Sequence, residues 1–298
     1  MTISGRVTDS SMMTKALGDL QRAQSRSQKL QSQISGGKQL TRPSDSPTGT
    51  VTSLQLRGEV RATQQYSRNA DDGLGWLGAI QDSLSDASTS IIRIRDLTVQ
   101  AMNAPNTDGS LAALGAEIDN VRATLLDQAN TKYLNRPVFG GTTPGGDAYD
   151  STGKYVGNDY QTTRTVGPNA KVRIDETGQE VFGKDGDPTQ LFTVLDTLSK
   201  AIKSNDLTGM GDSLENLDTA HELLKSSLSD VGARYNRVTQ MKQSADDHLL
   251  SVASQLSDIE DVDLPRAIME LQIQQTSYQA ALAATAKVIQ PSLIDFLR

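Results

Sequence analysis

The chain of 298 residues carries 29 Lys and Arg against 36 Asp and Glu, a formal charge of −7, and it contains no Cys. The acidic balance argues against nucleic-acid binding, which needs clustered cations, and the absence of Cys excludes disulfides and thiolate metal sites. Only 4% of the residues are aromatic, and no apolar run approaches the roughly 18 residues of a membrane span. We therefore expect no catalytic centre, cofactor or metal, no membrane insertion and no ordinary secretory signal.

The amino-terminal third predicts two helices, because its apolar residues recur at alternating intervals of three and four. Gly36 and Gly37 predict the end of the first helix, and Ser46 before Pro47 predicts the cap of the second. The second helix is expected to reach Asn103, a length of roughly 80 Å at about 1.5 Å per residue. The seam of the first helix consists of Met13, Ala16, Leu20, Ala23, Ser27, Leu30 and Ile34.

The segment 104–109 breaks the long helix, and the apolar spacing from Leu114 to Leu125 predicts an antiparallel return helix. From 134 to 188 the chain is rich in Gly, Thr, Val and Tyr, which predicts a small β-rich insert. Thr177-Gly178 is interpreted as one of its turns. The predicted strands are Val138–Phe139, Tyr155–Val156, Thr163–Val166 and Lys171–Ile174.

Helical spacing resumes after Pro188, first over 192–202, then over 214–259, and finally beyond Pro265. The predicted fold is mainly α: an elongated, antiparallel, coiled-coil-like rod of long helices with a small β-rich insert domain. The predicted segments are an N-terminal assembly helix and loop (1–44), N-terminal rod helices (45–133), the β-rich outer insert (134–188), C-terminal rod helices (189–262) and a C-terminal assembly helix (263–298).

Two motifs in the rod segments resemble those of a known family. Ile91–Asn103, IIRIRDLTVQAMN, resembles the end of the long amino-terminal helix of bacterial flagellins. Ser229–Arg237, SDVGARYNR, resembles the matching carboxy-terminal rod motif, and 259–263 with 272–290 resembles the terminal assembly helix. The chain therefore resembles the bacterial flagellin superfamily at both ends, whereas the insert is unmatched.

The resemblance implies a structural, non-catalytic protein of the bacterial flagellum that serves motility. Such a protein is exported by the flagellar type III apparatus, with an export chaperone, and assembles outside the cell. Residues 41–47 and 136–142 resemble those of hook–filament junction proteins, which implies lateral copies of itself, a neighbouring hook-associated protein and flagellin as partners. A filament-forming flagellin remains one alternative, and a non-flagellar coiled-coil adaptor with ordered ends is an alternative of another class.

The candidate interface residues follow from the narrow apolar seams at the two chain ends, because a narrow seam needs a partner helix. The two ends are expected to pair with each other, and also to present their seams to neighbouring subunits. The resemblance further implies rod contacts. The predicted N-terminal assembly interface is Met13, Leu20, Leu30 and Ile34, the C-terminal one is Leu264, Ile268, Leu271, Tyr278, Leu282, Ile289 and Phe296, and the rod contacts are Arg93, Arg95, Leu97 and Gln100.

Three polar features have simpler interpretations than a functional site. His221 and His248 are expected to be packed or surface side chains. Asp185-Gly186-Asp187 is expected to form a turn rather than a calcium loop. The acidic stretch 258–263 is interpreted either as capping of the final helix or as a contact with cations of a neighbouring subunit.

Overall fold

The computed structural model describes residues 9–103 and 107–289. The predicted mainly α fold, with long antiparallel helices and a small β-rich insert, is confirmed over these residues. None of the described helices combines the length and apolar character needed to cross a membrane. The elements are α1 (Asp9–Gly36), α2 (Pro47–Asn103), α3 (Asp108–Ala129), β1 (Lys132–Tyr133), β2 (Arg136–Pro137), β3 (Thr163–Gly167), β4 (Ala170–Arg173), α4 (Gly178–Phe182), α5 (Leu191–Lys203), α6 (Leu207–Glu260) and α7 (Leu264–Ile289).

The described residues divide into two compact units. The terminal unit contains the described residues up to 61 and from 250 onward, and the central unit contains those between 62 and 249. The terminal unit thus holds α1, α7, the first turns of α2 and the last turns of α6. The central unit holds the remaining parts of α2 and α6, together with α3, α5 and the insert.

The helix boundaries follow the local signals in the sequence. α1 ends at Gly36, and Gly37 has a φ of +66°, a left-handed conformation that glycine adopts without strain. α2 begins at Pro47, and the Ser46 hydroxyl accepts a hydrogen bond from the Gly49 N–H at 3.1 Å. This contact is the predicted N-cap, which satisfies one of the donors left free in the first turn.

The core of the central unit lies where antiparallel helices meet. Arg95 on α2 pairs with Asp218 on α6 at 3.0 Å, while Asp71 further toward the start of α2 pairs with Lys242 further along α6, so these helices run antiparallel. The Ser83 hydroxyl donates to the Gln128 carbonyl of α3 at 2.8 Å. The three–four spacing of α2 is the buried side of the helix, with exposure of at most 1% at Leu77, Ile80, Leu84, Ala87, Ile91 and Ile94.

The insert contains two short antiparallel strand pairs. β3 pairs with β4 around Pro168 and Asn169, and β1 pairs with β2 around Leu134 and Asn135, which both have positive φ. The predicted strand at Val138–Phe139 is wrong: β2 ends at Pro137, one residue before the Val138 N–H makes a last bond to the Thr131 carbonyl at 3.0 Å, and both side chains are fully buried. Their apolar, β-branched and aromatic character therefore signalled burial rather than ladder pairing.

An aromatic cluster forms the core of the insert. Rings of Phe139, Tyr149, Tyr155, Phe182 and Phe192 approach one another with centroid separations of 5.0–5.9 Å. These separations are typical of favourable tilted and edge-to-face aromatic pairs. Three of these rings lie in the insert outside its strands, and Phe182 and Phe192 reach the cluster from α4 and α5.

The interpretation of Thr177-Gly178 as a turn is also wrong. Thr177 is the N-cap of α4, and its N–H donates to the Glu180 carboxylate at 3.1 Å in a capping box. The sequence carries the signal, a Thr followed three residues later by Glu. α4 is short because Gly183, with a φ of +90°, ends it.

Candidate assembly surface

α1 and α7 form an antiparallel pair in the terminal unit. The Gln274 side-chain amide donates to the Ala23 carbonyl at 3.3 Å, and the Val262 N–H donates to the Gly37 carbonyl at 3.0 Å. The half-buried positions of α1 include Ala16, Leu20, Ala23, Ser27, Leu30 and Ile34, which are those that the apolar spacing selects. On α7 the inward row is Ala267, Leu271, Gln274, Tyr278, Ala281 and Thr285.

This pairing covers its apolar seams incompletely. From Thr14 onward, every side chain of α1 is either half-buried or exposed. On α7, Ala267 is the only buried side chain among residues 264–286. The contrast with the fully buried side of α2 indicates that the terminal helices retain apolar surface that the described residues do not cover.

The uncovered apolar surface includes a row along one side of α7. Leu264, Ile268 and Leu282 are 45%, 45% and 43% exposed. Their spacings of four and fourteen residues bring them to one face of an α-helix, next to the inward position of Leu271. We call Leu264, Ile268 and Leu282 the α7 stripe.

The other predicted interface residues of the chain ends are either half-buried or outside the described part of the structure. Leu20, Leu30, Ile34, Leu271 and Tyr278 are half-buried in the α1–α7 pair. Met13 and Ile289 lie on helical backbone, but their side chains are outside the described part of the structure, as is all of Phe296.

Sequence reasoning missed several exposed apolar side chains in the terminal unit, and three of them lie on α2 and α6. Val51 and Leu54, in the first turns of α2, are 57% and 60% exposed, and Leu250 near the end of α6 is 72% exposed. The only available signal was their apolar character at positions outside the predicted seams. They extend the set of side chains that a neighbouring molecule could cover.

A clasp of backbone and ionic contacts joins the two chain ends within the terminal unit. The Gln39 N–H donates to the Glu260 carbonyl at 2.7 Å. The Glu260 carboxylate accepts two hydrogen bonds from the Arg57 guanidinium, each at 2.8 Å, and lies 3.4 Å from the Lys38 ammonium. These contacts, with those of Arg57 foremost, lower the pKa of the Glu260 carboxyl, although its side chain is only 4% exposed.

The structure shows partners within the chain for part of the acidic stretch 258–263. Glu260 and Asp261 pair with cations of their own chain, since the Lys38 ammonium also contacts Asp261 at 2.5 Å. Asp263 instead caps α7, because its carboxylate accepts the Arg266 N–H at 3.2 Å. These carboxylates therefore have local or intramolecular roles, and a contact with a neighbouring subunit is not needed to explain them.

The predicted rod contacts lie on α2 in the central unit. Arg93 approaches Glu117 of α3 at 3.7 Å, Arg95 pairs with Asp218, and Gln100 is exposed. Leu97 is only 4% exposed and packs in the core, so its side chain offers no surface to a neighbouring molecule. Of the four predicted rod contacts, Arg93, Arg95 and Gln100 therefore present side-chain surface to a neighbouring molecule, and Leu97 does not.

The histidines take the structural positions expected of them. The His221 ring nitrogen Nε2 lies 2.9 Å from the Ser88 hydroxyl, and burial lowers the pKa of His221. His248 is exposed on the same helix. Across the described residues, no cluster of three or more His, Asp or Glu side chains could hold a metal ion.

Comparison with known proteins places these helices in a family. The bacterial flagellin N-terminal helical region matches residues 7–143, and the bacterial flagellin C-terminal helical region matches residues 214–297. The flagellar hook-associated protein 3 of Escherichia coli is 28% identical over 275 residues, covering 85% of this chain and 87% of the relative. A flagellin of Bacillus subtilis is 26% identical over 307 residues, covering 96% of both proteins.

A solved structure has the same fold. The flagellar hook-associated protein 3 of Legionella pneumophila matches with a TM-score of 0.61 and 16% identity, covering 69% of this chain and 98% of that protein. Because the two helical regions of one family match most of its length, the chain belongs to the bacterial flagellin family and is a structural component of the flagellum.

Proposed function

We propose that this protein joins the flagellar hook to the filament and assembles through its terminal helices. The observation that carries the proposal is the α7 stripe, an apolar row left exposed beside a half-covered helix pair. The relatives named hook-associated protein 3 support the junction role. Family membership removes the non-flagellar adaptor from consideration.

The energetics favour covering these helices in an assembly. Amphipathic helices gain most of their stability from packing rather than from intrinsic propensity. Full burial of a Leu or Ile side chain contributes about 1.5–3 kcal/mol, so covering the remaining exposed area of the α7 stripe would contribute roughly 2–4 kcal/mol per subunit. Contacts between different patches on successive subunits generate rings or open helices, the symmetry of a flagellar layer.

The proposed partners follow from this placement. Lateral copies of the chain would cover the terminal helices, a second hook-associated protein would lie on the hook side, and flagellin on the filament side. Arg93, Arg95 and Gln100 would contribute polar contacts from the rod. We also propose export through the flagellar type III apparatus, aided by a chaperone, and a final location outside the cell.

The surviving rival is a filament-forming flagellin, and the Bacillus subtilis relative supports it. The two roles differ in what the purified chain does alone. A filament flagellin polymerises without limit, whereas a junction protein adds a short layer to hooks that carry the second hook-associated protein, and then stops. Electron microscopy of the purified chain, with and without such hooks, separates these outcomes.

The assembly surface is tested by Leu282→Asp in the full chain. The side chain is already 43% exposed, so the monomer should keep its helical content while incorporation into hook–filament structures is largely lost. Leu134→Asp is the matched control, because Leu134 is 72% exposed on the β1–β2 hairpin of the insert. Immunogold labelling of flagella from cells that carry only the variant provides the measurement. Wild-type incorporation of Leu282→Asp would contradict the proposed surface.

A further inference from the structure

The side of α7 that faces away from the α7 stripe also carries uncovered apolar side chains. Met269 and Ile273 are 58% and 65% exposed. Ile273 lies nine residues from both Leu264 and Leu282. Nine residues make about two and a half turns at about 3.6 residues per turn, so Ile273 lies on the opposite side of the helix from the stripe.

A groove between α1 and α7 runs beside Ile273. It is lined by Arg26, Lys29, Leu30 and Gln33 of α1 and by Glu270 and Ile273 of α7. Leu30 and Ile273 are its apolar side chains, and the aliphatic stems of the two cations can cover apolar surface while their charged ends stay in water. We call this feature the α1–α7 groove.

The charged side chains of α1 lie on the groove side of the helix pair. From residue 15 to the end of α1 they recur at alternating intervals of four and three, a spacing that places them in one row along the helix. Two members of the row line the groove, which fixes the side on which the whole row lies. The row consists of Lys15, Asp19, Arg22, Arg26 and Lys29.

The stripe side of the pair is uncharged over the described side chains of 14–36 and 264–286. Because an ionised side chain resists removal from water, another molecule can cover this side without desolvating a charge. Glutamine amides accompany the apolar side chains there, and they can both donate and accept hydrogen bonds. The uncharged exposed residues beside the stripe include Leu17, Gln24, Gln28 and Gln31 of α1 and Gln272, Gln275 and Gln279 of α7.

The ions of the groove have partners within their own chain. The Lys29 ammonium contacts the Asp45 carboxylate at 2.8 Å, and the Glu270 carboxylate contacts the Arg266 guanidinium at 3.2 Å. An uncharged, apolar partner surface therefore fits the groove without leaving these ions unpaired, whereas a charged one would compete with the existing pairs.

We propose that the α7 stripe of one copy packs into the α1–α7 groove of the next copy. This inference rests on the proposed assembly through the terminal helices and names the two surfaces that meet. Leu264 and Ile268, four residues apart, form the kind of ridge that packs into the groove of neighbouring helices. Since stripe and groove lie on opposite sides of one helix pair, each copy offers one of each, and the contact repeats from copy to copy instead of closing after two.

Introduced thiols can report this contact, because the chain contains no Cys. Ile268→Cys places a thiol on the stripe and Ile273→Cys places one in the groove. The full-length variants are assembled onto hooks that carry the second hook-associated protein, treated with a short bismaleimide, and analysed by denaturing electrophoresis and peptide mass spectrometry. Each variant alone should give no crosslink, an equal mixture should give dimers, and the double variant should give a ladder of longer multimers.

Leu282→Cys is mixed with Ile273→Cys in the same way, because the stripe extends over more turns than the groove and either end of it can occupy the groove. Leu134→Cys is the matched control, because Leu134 is 72% exposed on the insert; mixed with Ile268→Cys it should give no dimer.

Two results would overturn the pairing of stripe with groove. One is a crosslink in assemblies of Ile268→Cys alone, which would mean that like surfaces meet. The other is the absence of a crosslink between Ile273→Cys and both stripe variants. Either result would leave the proposed function standing, because the copies have still assembled, whereas failure of the wild-type chain to assemble on these hooks would contradict both.

Ile273→Asp tests the groove without crosslinking. Every contact between copies needs one groove, so incorporation should be lost as completely as in Leu282→Asp. The monomer should keep its helical content in circular dichroism, because the Ile273 side chain is mostly exposed, and Leu134→Asp should incorporate as wild type. Wild-type incorporation of Ile273→Asp would overturn the proposal.

Discussion

Two tyrosines of the insert allow the cost of a buried hydroxyl to be measured against its benefit. Tyr149 is 1% exposed, and its hydroxyl has no hydrogen-bond partner among the described residues. The Tyr155 hydroxyl lies 2.8 Å from the Asn158 carbonyl and 3.1 Å from the Phe139 carbonyl. Substitution by Phe removes the hydroxyl oxygen from either residue. We expect Tyr149→Phe to raise the free energy of unfolding and Tyr155→Phe to lower it.

The expected magnitudes follow from these contacts. An unsatisfied buried polar group costs about 1–3 kcal/mol, and the small void left by the oxygen offsets part of this, so Tyr149→Phe should stabilise by about 1 kcal/mol. Tyr155→Phe should destabilise by about 1–1.5 kcal/mol, because the Asn158 carbonyl loses its donor. The Phe139 carbonyl keeps a bond from the Gly178 N–H at 2.9 Å, which limits the loss.

Thermal unfolding followed by circular dichroism measures the pair. At about 2–4 °C per kcal/mol for a unit of this size, the two variants should differ in Tm by roughly 4–10 °C, with wild type between them. Near-ultraviolet spectra would check that the aromatic cluster keeps its packing. A Tm for Tyr149→Phe as low as that of Tyr155→Phe would refute the assignment of an unsatisfied hydroxyl.

The remaining predictions concern α2. Gly78→Ala should stabilise the protein by about 0.5–1 kcal/mol, because the added Cβ meets no atom within 4 Å. Gly75→Ala should destabilise it, because the added Cβ would collide with the Tyr133 ring. Thermal unfolding of both variants measures the difference. Arg57→Ala should weaken the clasp by about 1 kcal/mol. The loss is small because the Arg57 side chain is half-exposed to solvent. Limited proteolysis of the loop before α2 should then be about fivefold faster. Proteolysis at the wild-type rate would mean that Arg57 does not restrain Glu260.

The sequence predicted the helices well because their information is local. The apolar period of α2 and the cap at Ser46 depend on neighbours within one or two turns, and both are found in the structure. The insert was predicted less well. Phe139 packs against the ring of Phe182, which comes from a distant segment, and propensity at Val138–Phe139 could not distinguish burial from strand pairing.

The candidate surface was predictable in part, for a similar reason. The spacing identified the seam of α1, and on α7 it selected Leu271 and Tyr278, which the pair half-buries, together with Leu264, Ile268 and Leu282, which the structure leaves exposed. A period identifies an apolar face without telling which of its residues the chain itself will cover. The Arg57–Glu260 contact joins residues 203 positions apart, so no local pattern could indicate it.

The pairing of α1 with α7 also constrains the order in which the molecule can form. The bond between Gln274 and Ala23 closes a loop of 251 residues, and closing so long a loop carries a large entropic cost before any contact rewards it. A polypeptide delivered from one end first cannot complete this pair until almost all of it has emerged. The helices between can meet their neighbours sooner, so the two ends would be the last part of the molecule to mature.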